Sequence, residues 1–347
     1  MRIEKKEIHE KWIEYTLTND VGMSVSVLDL GGIITKIMVP DRDGNIENVV
    51  LGYRNYEDYQ ANPNYFGAII GRVAGRIQGA SFNLNGETYK LAANDGENHL
   101  HGGPRGLHQL VWEASTFESD EEVGLTLSHR SVDLDSGYPG NVEIKVTYTL
   151  NNQNQLILDY AAKSDQTTPL TLTNHSYFNL SGNLKNTVHN HQVTIDSSKF
   201  VELDSNLIPT GMLLNVSETS FDFRSGRALE EGFNNDFEQN KVAGSGYDHY
   251  FIFDNAQEHQ ANLLDPDSGR VMLVNTNEPG MVMYTSNTME EGLKLAEGSS
   301  RKHLGVCFET QASPASLHHE GFPTVILNAG EDYNKQTIFT FLIEDEK

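Results

Sequence analysis

The chain has 347 residues, with 25 Lys plus Arg against 49 Asp plus Glu, a formal net charge of -24. That length supports a sizeable core, and so acidic a surface repels phosphate backbones and anionic lipid, which sets nucleic-acid and membrane partners aside. A single cysteine, Cys307, rules out an internal disulfide and a cysteine-based zinc site. The charged segment 1–10 and the lack of any run near 18 apolar residues predict a cytoplasmic chain.

Period-2 alternation dominates from the start. Met23, Val25 and Val27 alternate with Ser24 and Ser26. A short helix is predicted over 56–61. Val123, Leu125 and Leu127 then alternate with Gly124, Thr126 and Ser128, and the run 142–150 puts five apolar residues on one face, the pattern of a half-buried antiparallel strand. Further strands are predicted at 156–160, 192–195, 271–275, 281–285 and 337–343, with a second short helix at 228–233. Turn chemistry punctuates them at Asp43-Gly44, Asn85-Gly86, Asn151-Asn152 and Ala329-Gly330. Many strands and few short helices predict an all-β sandwich, and no composition break or linker divides it, so 1–347 reads as a single domain.

Five segments could carry chemistry. The loop 71–77, Gly-Arg-Val-Ala-Gly-Arg-Ile, softens Arg72 and Arg76 with small residues; each is either a surface arginine or a guanidinium fork for ligand oxygens. In 98–103, Asn-His-Leu-His-Gly-Gly, His99 and His101 would share a strand face, as in a metal site. A cupin-type site needs a glutamate three or four residues on, where Pro104 and Arg105 stand, so no metal is expected. The paired glycines instead predict a tight turn that lets a ligand approach the backbone. The segment 171–180, Thr-Leu-Thr-Asn-His-Ser-Tyr-Phe-Asn-Leu, sets Asn174 and His175 in an otherwise apolar strand. Such a histidine needs hydrogen-bond partners, whether as a satisfied core residue or as a functional one. Asp248 lies among aromatics in 246–251, where it is either a turn carboxylate or one that takes hydroxyls beside an aromatic face. Glu309 follows an apolar run in 305–314, and its burial would raise its pKa toward that of a useful base. His99, His249, His318 and His319 are read as loop or surface residues.

In this chain order these segments resemble the galactose mutarotase (aldose 1-epimerase) family. The turn 136–140 (Ser-Gly-Tyr-Pro-Gly), the segment 207–211 (Leu-Ile-Pro-Thr-Gly) and the closing Phe322-Pro with Gly330-Glu-Asp-Tyr333 add to it, so that the resemblance spans about 20–341. It implies a large β-sandwich of the supersandwich type and an isomerase that interconverts the α and β anomers of free hexoses such as galactose and glucose, without metal or cofactor. Carried over by position, Glu309 resembles the general base and His175 the general acid. His101 resembles a second histidine that holds the sugar, while Arg76 and Asp248 resemble substrate-binding residues. Glu278 stands where some relatives carry glutamine, which makes it a substrate-binding candidate that only accepts hydrogen bonds when ionised. Gly75 stands where some relatives carry asparagine. The expected partner is a small aldose, bound by a monomer or homodimer. A hexose-phosphate epimerase of the same fold would need a Lys/Arg cluster, and a non-catalytic sugar-binding protein would lack Glu309 or His175.

Overall fold

The computed structural model describes residues 1–254 and 259–344. Three antiparallel sheets make up most of it. A five-stranded meander runs Arg2–Ile8, Trp12–Thr18, Ser24–Leu28, Ile33–Pro40 and Ile46–Asn48. A nine-stranded sheet has its long members Glu122–Ser131, Val142–Asn151, Gln155–Ser164 and Asp332–Ile343 side by side, followed by Arg270–Thr276 and shorter strands. The alternating run at 142–150 lies centrally there, with Val142, Ile144, Val146, Tyr148 and Leu150 all buried. A six-stranded sheet is ordered Tyr177–Phe178, Val306–Thr310, Gly280–Tyr284, Asp248–Ile252, Lys199–Leu203 and Pro209–Asn215.

One continuous apolar cluster joins the three sheets, drawing residues from Tyr15 to Phe341. This is the expected all-β sandwich. Among the described residues the α-helices are Glu230–Phe233 and Glu238–Val242, and the segment predicted as a helix at 56–61 is a 3-10 turn, Tyr56–Gln60, capped by the Asn55 side chain. Asn85 and Gly86, at φ 52° and 84°, form the two-residue turn that joins Leu84 to Glu87 across their hairpin. No helix among the described residues is long and apolar enough to cross a membrane.

The six-stranded sheet positions the chemistry, because side chains alternate across a strand. Phe251, Met281, Met283, Val306 and Phe308 face the shared core. The intervening residues Asp248, Tyr250, Val282, Tyr284 and Glu309 face the other way and line a cleft. The register sets them in rows: Asp248 pairs with Tyr284 and Tyr284 with Cys307, while Val282 pairs with both Tyr250 and Glu309.

Candidate active site

The cleft over this face has a volume of about 300 Å³, at the small end of ligand pockets and suited to one small polar molecule. His175 enters it from the segment between Thr173–Asn174 and Tyr177–Phe178. Its backbone is clamped on both sides, since its N–H donates to the Ala68 carbonyl (2.9 Å) and its carbonyl accepts from Gly67 N–H (3.0 Å). Asn174 braces the same turn, donating from Nδ2 to the Gly67 carbonyl and accepting from Ser176 N–H and Oγ–H. The polar Asn-His pair in an apolar strand is thus fully employed.

His175 Nε2 lies 3.5 Å from Glu309 Oε1, with both side chains about 95% buried. Burial lowers the imidazole to about 4 and lifts the Glu309 carboxyl well above its ordinary range, with nearby Asp248 adding to the rise and Arg76 opposing it. Both shifts penalise charge. They favour a neutral carboxyl beside a neutral ring, one proton for the pair, on Glu309 when the cleft is empty.

Arg76 crosses the cleft wall between two carboxylates, with Nε 2.7 Å from Asp95 Oδ2 and Nη1 3.8 Å from Asp248 Oδ2. Burial works against its charge, but Asp248 and Asp95, with Glu309 beyond, more than offset it and hold the guanidinium above its usual value. Asp248 is raised by burial, against the pull of Arg76. His101 is buried and held well below the ordinary histidine range by desolvation, so its ring is neutral. Its Nδ1 accepts from Gly75 N–H (3.1 Å), and its backbone N–H donates to the Gly75 carbonyl (3.1 Å). A neutral ring that accepts at Nδ1 carries its proton on Nε2, so His101 is a hydrogen-bond donor.

That tautomer bears on metal binding. Ligand atoms of His101, His175 and Glu309 lie within 4.8 Å of one another. His101, however, has one nitrogen lone pair engaged by an amide and a proton on the other nitrogen. It has none free for a cation, and two donors make a poor site. The pairing of His99 with His101 does not arise either, because the strand His99–Leu100 ends before His101, which turns out at φ 51°.

The structure gathers Glu309, His175, Arg76, His101 and Asp248 around one cleft. It does not bring Glu278 there. That carboxylate is buried, accepting from Tyr333 Oη at 3.2 Å and lying 3.2 Å from Lys335 Nζ, so its neighbours hold the place the sequence reading gave to a ligand. Several other readings are corrected. Arg72 is neither on the surface nor in the cleft: its guanidinium ties the carbonyls of Ser131, Val132, Pro139 and Gly140. Gly102 and Gly103 pack against protein rather than line the cleft; a Cβ on either would meet the Gly71 carbonyl or the His99 ring. His99 and His249 are fully buried rather than superficial, His99 through Nδ1 on the Ala92 carbonyl and His249 against Phe221 with Nε2 on Gln239. Alternation foretells the second, since His249 must face opposite to Asp248. Gly75 sits at φ 85°, a conformation that asparagine tolerates best among residues with side chains, so the exchange at this position follows from the backbone.

The sequence reading missed the aromatic lining. Tyr65, at φ 56°, sets its ring edge-on to His101 (4.8 Å) and tilted to His175 (5.7 Å). Tyr177 and Tyr284 close the same side. Gln311 was also missed: its Nε2 donates to the Ala74 carbonyl, and its buried Oε1 has no partner among the described residues. Two-residue spacing from Glu309 was the available signal for Gln311; nothing local distinguished Tyr65.

Fold and cleft together define an all-β sandwich with a small-molecule site furnished for proton transfer. The profile of the family described as Aldose 1-epimerase matches residues 14–340, and the chain belongs to that family. It is 40% identical to the galactose mutarotase of Sus scrofa over 328 residues, covering 92% of each chain. It is 33% identical to the aldose 1-epimerase of Escherichia coli (strain K12), covering 95% of each. Among solved structures, the galactose 1-epimerase of Lactobacillus acidophilus superposes with a TM-score of 0.87 at 29% identity, covering 99% of both chains.

Proposed function

We propose that the protein is a mutarotase: an aldose 1-epimerase that interconverts the α and β anomers of a free hexose, galactose or glucose. The observation that carries the chemistry is the buried Glu309–His175 pair at 3.5 Å, holding one proton between a potential acid and a potential base. In this reading Glu309, as carboxylate, takes the proton of the C1 hydroxyl. His175, as imidazolium, gives a proton to the ring oxygen, and the C1–O5 bond breaks. The resulting aldehyde turns about C1–C2. On closure His175 recovers its proton from the O5 hydroxyl while Glu309 returns one to O1, so the turnover leaves both groups as they began. The active arrangement differs from the resting one by transfer of a single proton across the pair, which sugar hydroxyls around the carboxylate and the nearby Arg76 charge favour.

Arg76 and Asp248 bind the ring hydroxyls, and His101 donates from Nε2 to a sugar oxygen. Among the described residues that line the cleft, Arg76 is the one Lys or Arg, and Asp95 and Asp248 match its charge. That favours a neutral sugar over a sugar phosphate. The reading includes a single domain over 1–347 and a cytoplasmic setting, the latter resting on composition alone.

Polarimetry of fresh α-D-galactose and α-D-glucose tests the activity. Faster approach to equilibrium rotation with the protein supports it; no acceleration by folded protein with either sugar sinks it. Asp248→Ala and Arg76→Ala are expected to raise KM about tenfold or more with smaller effects on kcat, because each removes charged hydrogen bonds to the ligand. An equal fall in kcat at unchanged KM would instead place these residues in the proton-transfer step.

A further inference from the structure

Cys307 is buried at 0% exposure at the edge of an apolar cluster with Tyr177 and Leu304, but on the side of its strand that faces the cleft. It lies two residues before Glu309 on the strand Val306–Thr310, so both side chains project from the same, cleft-facing side of the sheet. The His175 ring lies over that side and meets both. Its Nε2 is 3.5 Å from Glu309 Oε1 and its Nδ1 is 3.6 Å from Cys307 Sγ, a hydrogen-bonding distance for sulfur. The register pairs Cys307 with Tyr177 on one side and Tyr284 on the other, which close the thiol off.

The direction of the sulfur hydrogen bond follows from the other end of the ring. A carboxyl proton on Glu309 has the Nε2 lone pair as its nearest acceptor on the ring. The ring's own hydrogen must then sit on Nδ1, and the group it faces is Sγ. We propose that Cys307 is a positioning residue: its sulfur accepts the His175 Nδ1–H, fixing the tautomer whose Nε2 lone pair faces Glu309, so that Nε2 is the nitrogen that takes up the pair's proton and passes it to the sugar ring oxygen. This rests on the mutarotase reading for its consequence, not for its geometry.

The choice of sulfur has a chemical reason. A carboxylate or carbonyl at Nδ1 would also fix this tautomer, but it would stabilise the imidazolium and make a weaker acid. A thiol is a poor acceptor, so it orients the ring without adding much to its basicity. Burial keeps the thiol un-ionised, with Glu309 and Asp248 reinforcing the effect, so Cys307 stays a neutral partner throughout the working range. The other titratable groups around the ring are the rings of Tyr65, Tyr177, Tyr284 and His101, with His108, Arg76 and Asp248 further off. The backbone of His175 also interacts with its ring and offsets part of the desolvation, while Cys307 Sγ is the side-chain partner at Nδ1.

The test is nitrogen-15 NMR of the histidine rings in the full-length protein without ligand at neutral pH, with His175 assigned by its loss in His175→Asn. The expected result is a protonated Nδ1 and an unprotonated Nε2 at His175. A protonated Nε2 in the neutral ring would overturn the proposal, whatever the activity. Cys307→Ala should average the two tautomers and lower kcat about five- to tenfold, near the worth of one weak hydrogen bond, with KM little changed. Cys307→Ser supplies a better acceptor. It should restore the Nδ1–H signal and raise the ring's apparent pKa, moving the acid limb of the pH–rate profile upward. A purely packing role for Cys307 would lower the thermal midpoint of the Ala variant but leave the tautomer unchanged, and that result would also overturn the proposal. Failure of the mutarotase reading itself would appear separately, as wild-type protein inert toward both sugars.

Discussion

Glu309→Gln is expected to lower kcat for anomer interconversion of galactose by about 10²–10⁴-fold, the range of a lost general base. The same variant should be at least as heat-stable as the parent. Glu309 is buried beside Asp248, and burial lifts its pKa well above the usual carboxylate range. The folded protein therefore holds this proton more tightly than the unfolded chain does. The stability linked to it is complete below the unfolded carboxylate pKa and is lost as pH rises through the folded one. Glutamine keeps the shape and does not ionise, so it escapes that loss. Low activity together with an unchanged or raised thermal midpoint is the pattern of a residue kept for chemistry at some expense to the fold. Steady-state polarimetry and calorimetry on one preparation measure both. Near-parental kcat would remove Glu309 from the reaction, and a midpoint lowered by several degrees would mean that the carboxylate serves structure.

The sheets were legible because their signal is local. Alternation at 142–150 and 123–127 survives into strands of the nine-stranded sheet, and the segment 192–195 matches its strand to the residue. The same rule, applied two residues at a time, distinguishes the cleft face from the core face of the six-stranded sheet. The site was legible where a polar group interrupts an apolar strand, as at His175 and Glu309, since burial there demands a reason. It failed where the reason lay elsewhere in the chain. Glu278 is equally buried, but Lys335 and Tyr333, on the strand Asp332–Ile343, account for it. Arg72 and Arg76 look alike in one glycine-softened loop and part only in space, one taking carbonyls around the turn at 136–140 and the other reaching the cleft. Asp95 and Tyr65 carry no pattern of their own; their parts follow from the distances to Arg76 and His101.

His175→Asn should match Glu309→Gln in the size of its kcat loss, but its pH dependence should differ in form. In the parent protein the pair works with one proton. It gains a second as pH falls toward the His175 value of about 4, which protonates the base, and it loses its only one as pH rises through the raised value of Glu309. The profile of kcat/KM is therefore a bell whose limbs belong to the coupled pair rather than to either residue alone. With asparagine at 175, only Glu309 still titrates. Residual activity should rise with pH through that single value and show no alkaline fall. Stability should shift as well. A histidine held below its ordinary 6.5 contributes stability that is present above that value and is lost as pH falls toward about 4. The asparagine variant should accordingly be less sensitive to acid over that interval. Initial rates by polarimetry across about pH 4–10, corrected for spontaneous mutarotation, distinguish the two forms. A variant that keeps the full bell would show that a different group delivers the proton to the ring oxygen, with His101, its ring 5.3 Å from that of His175, the nearest alternative donor.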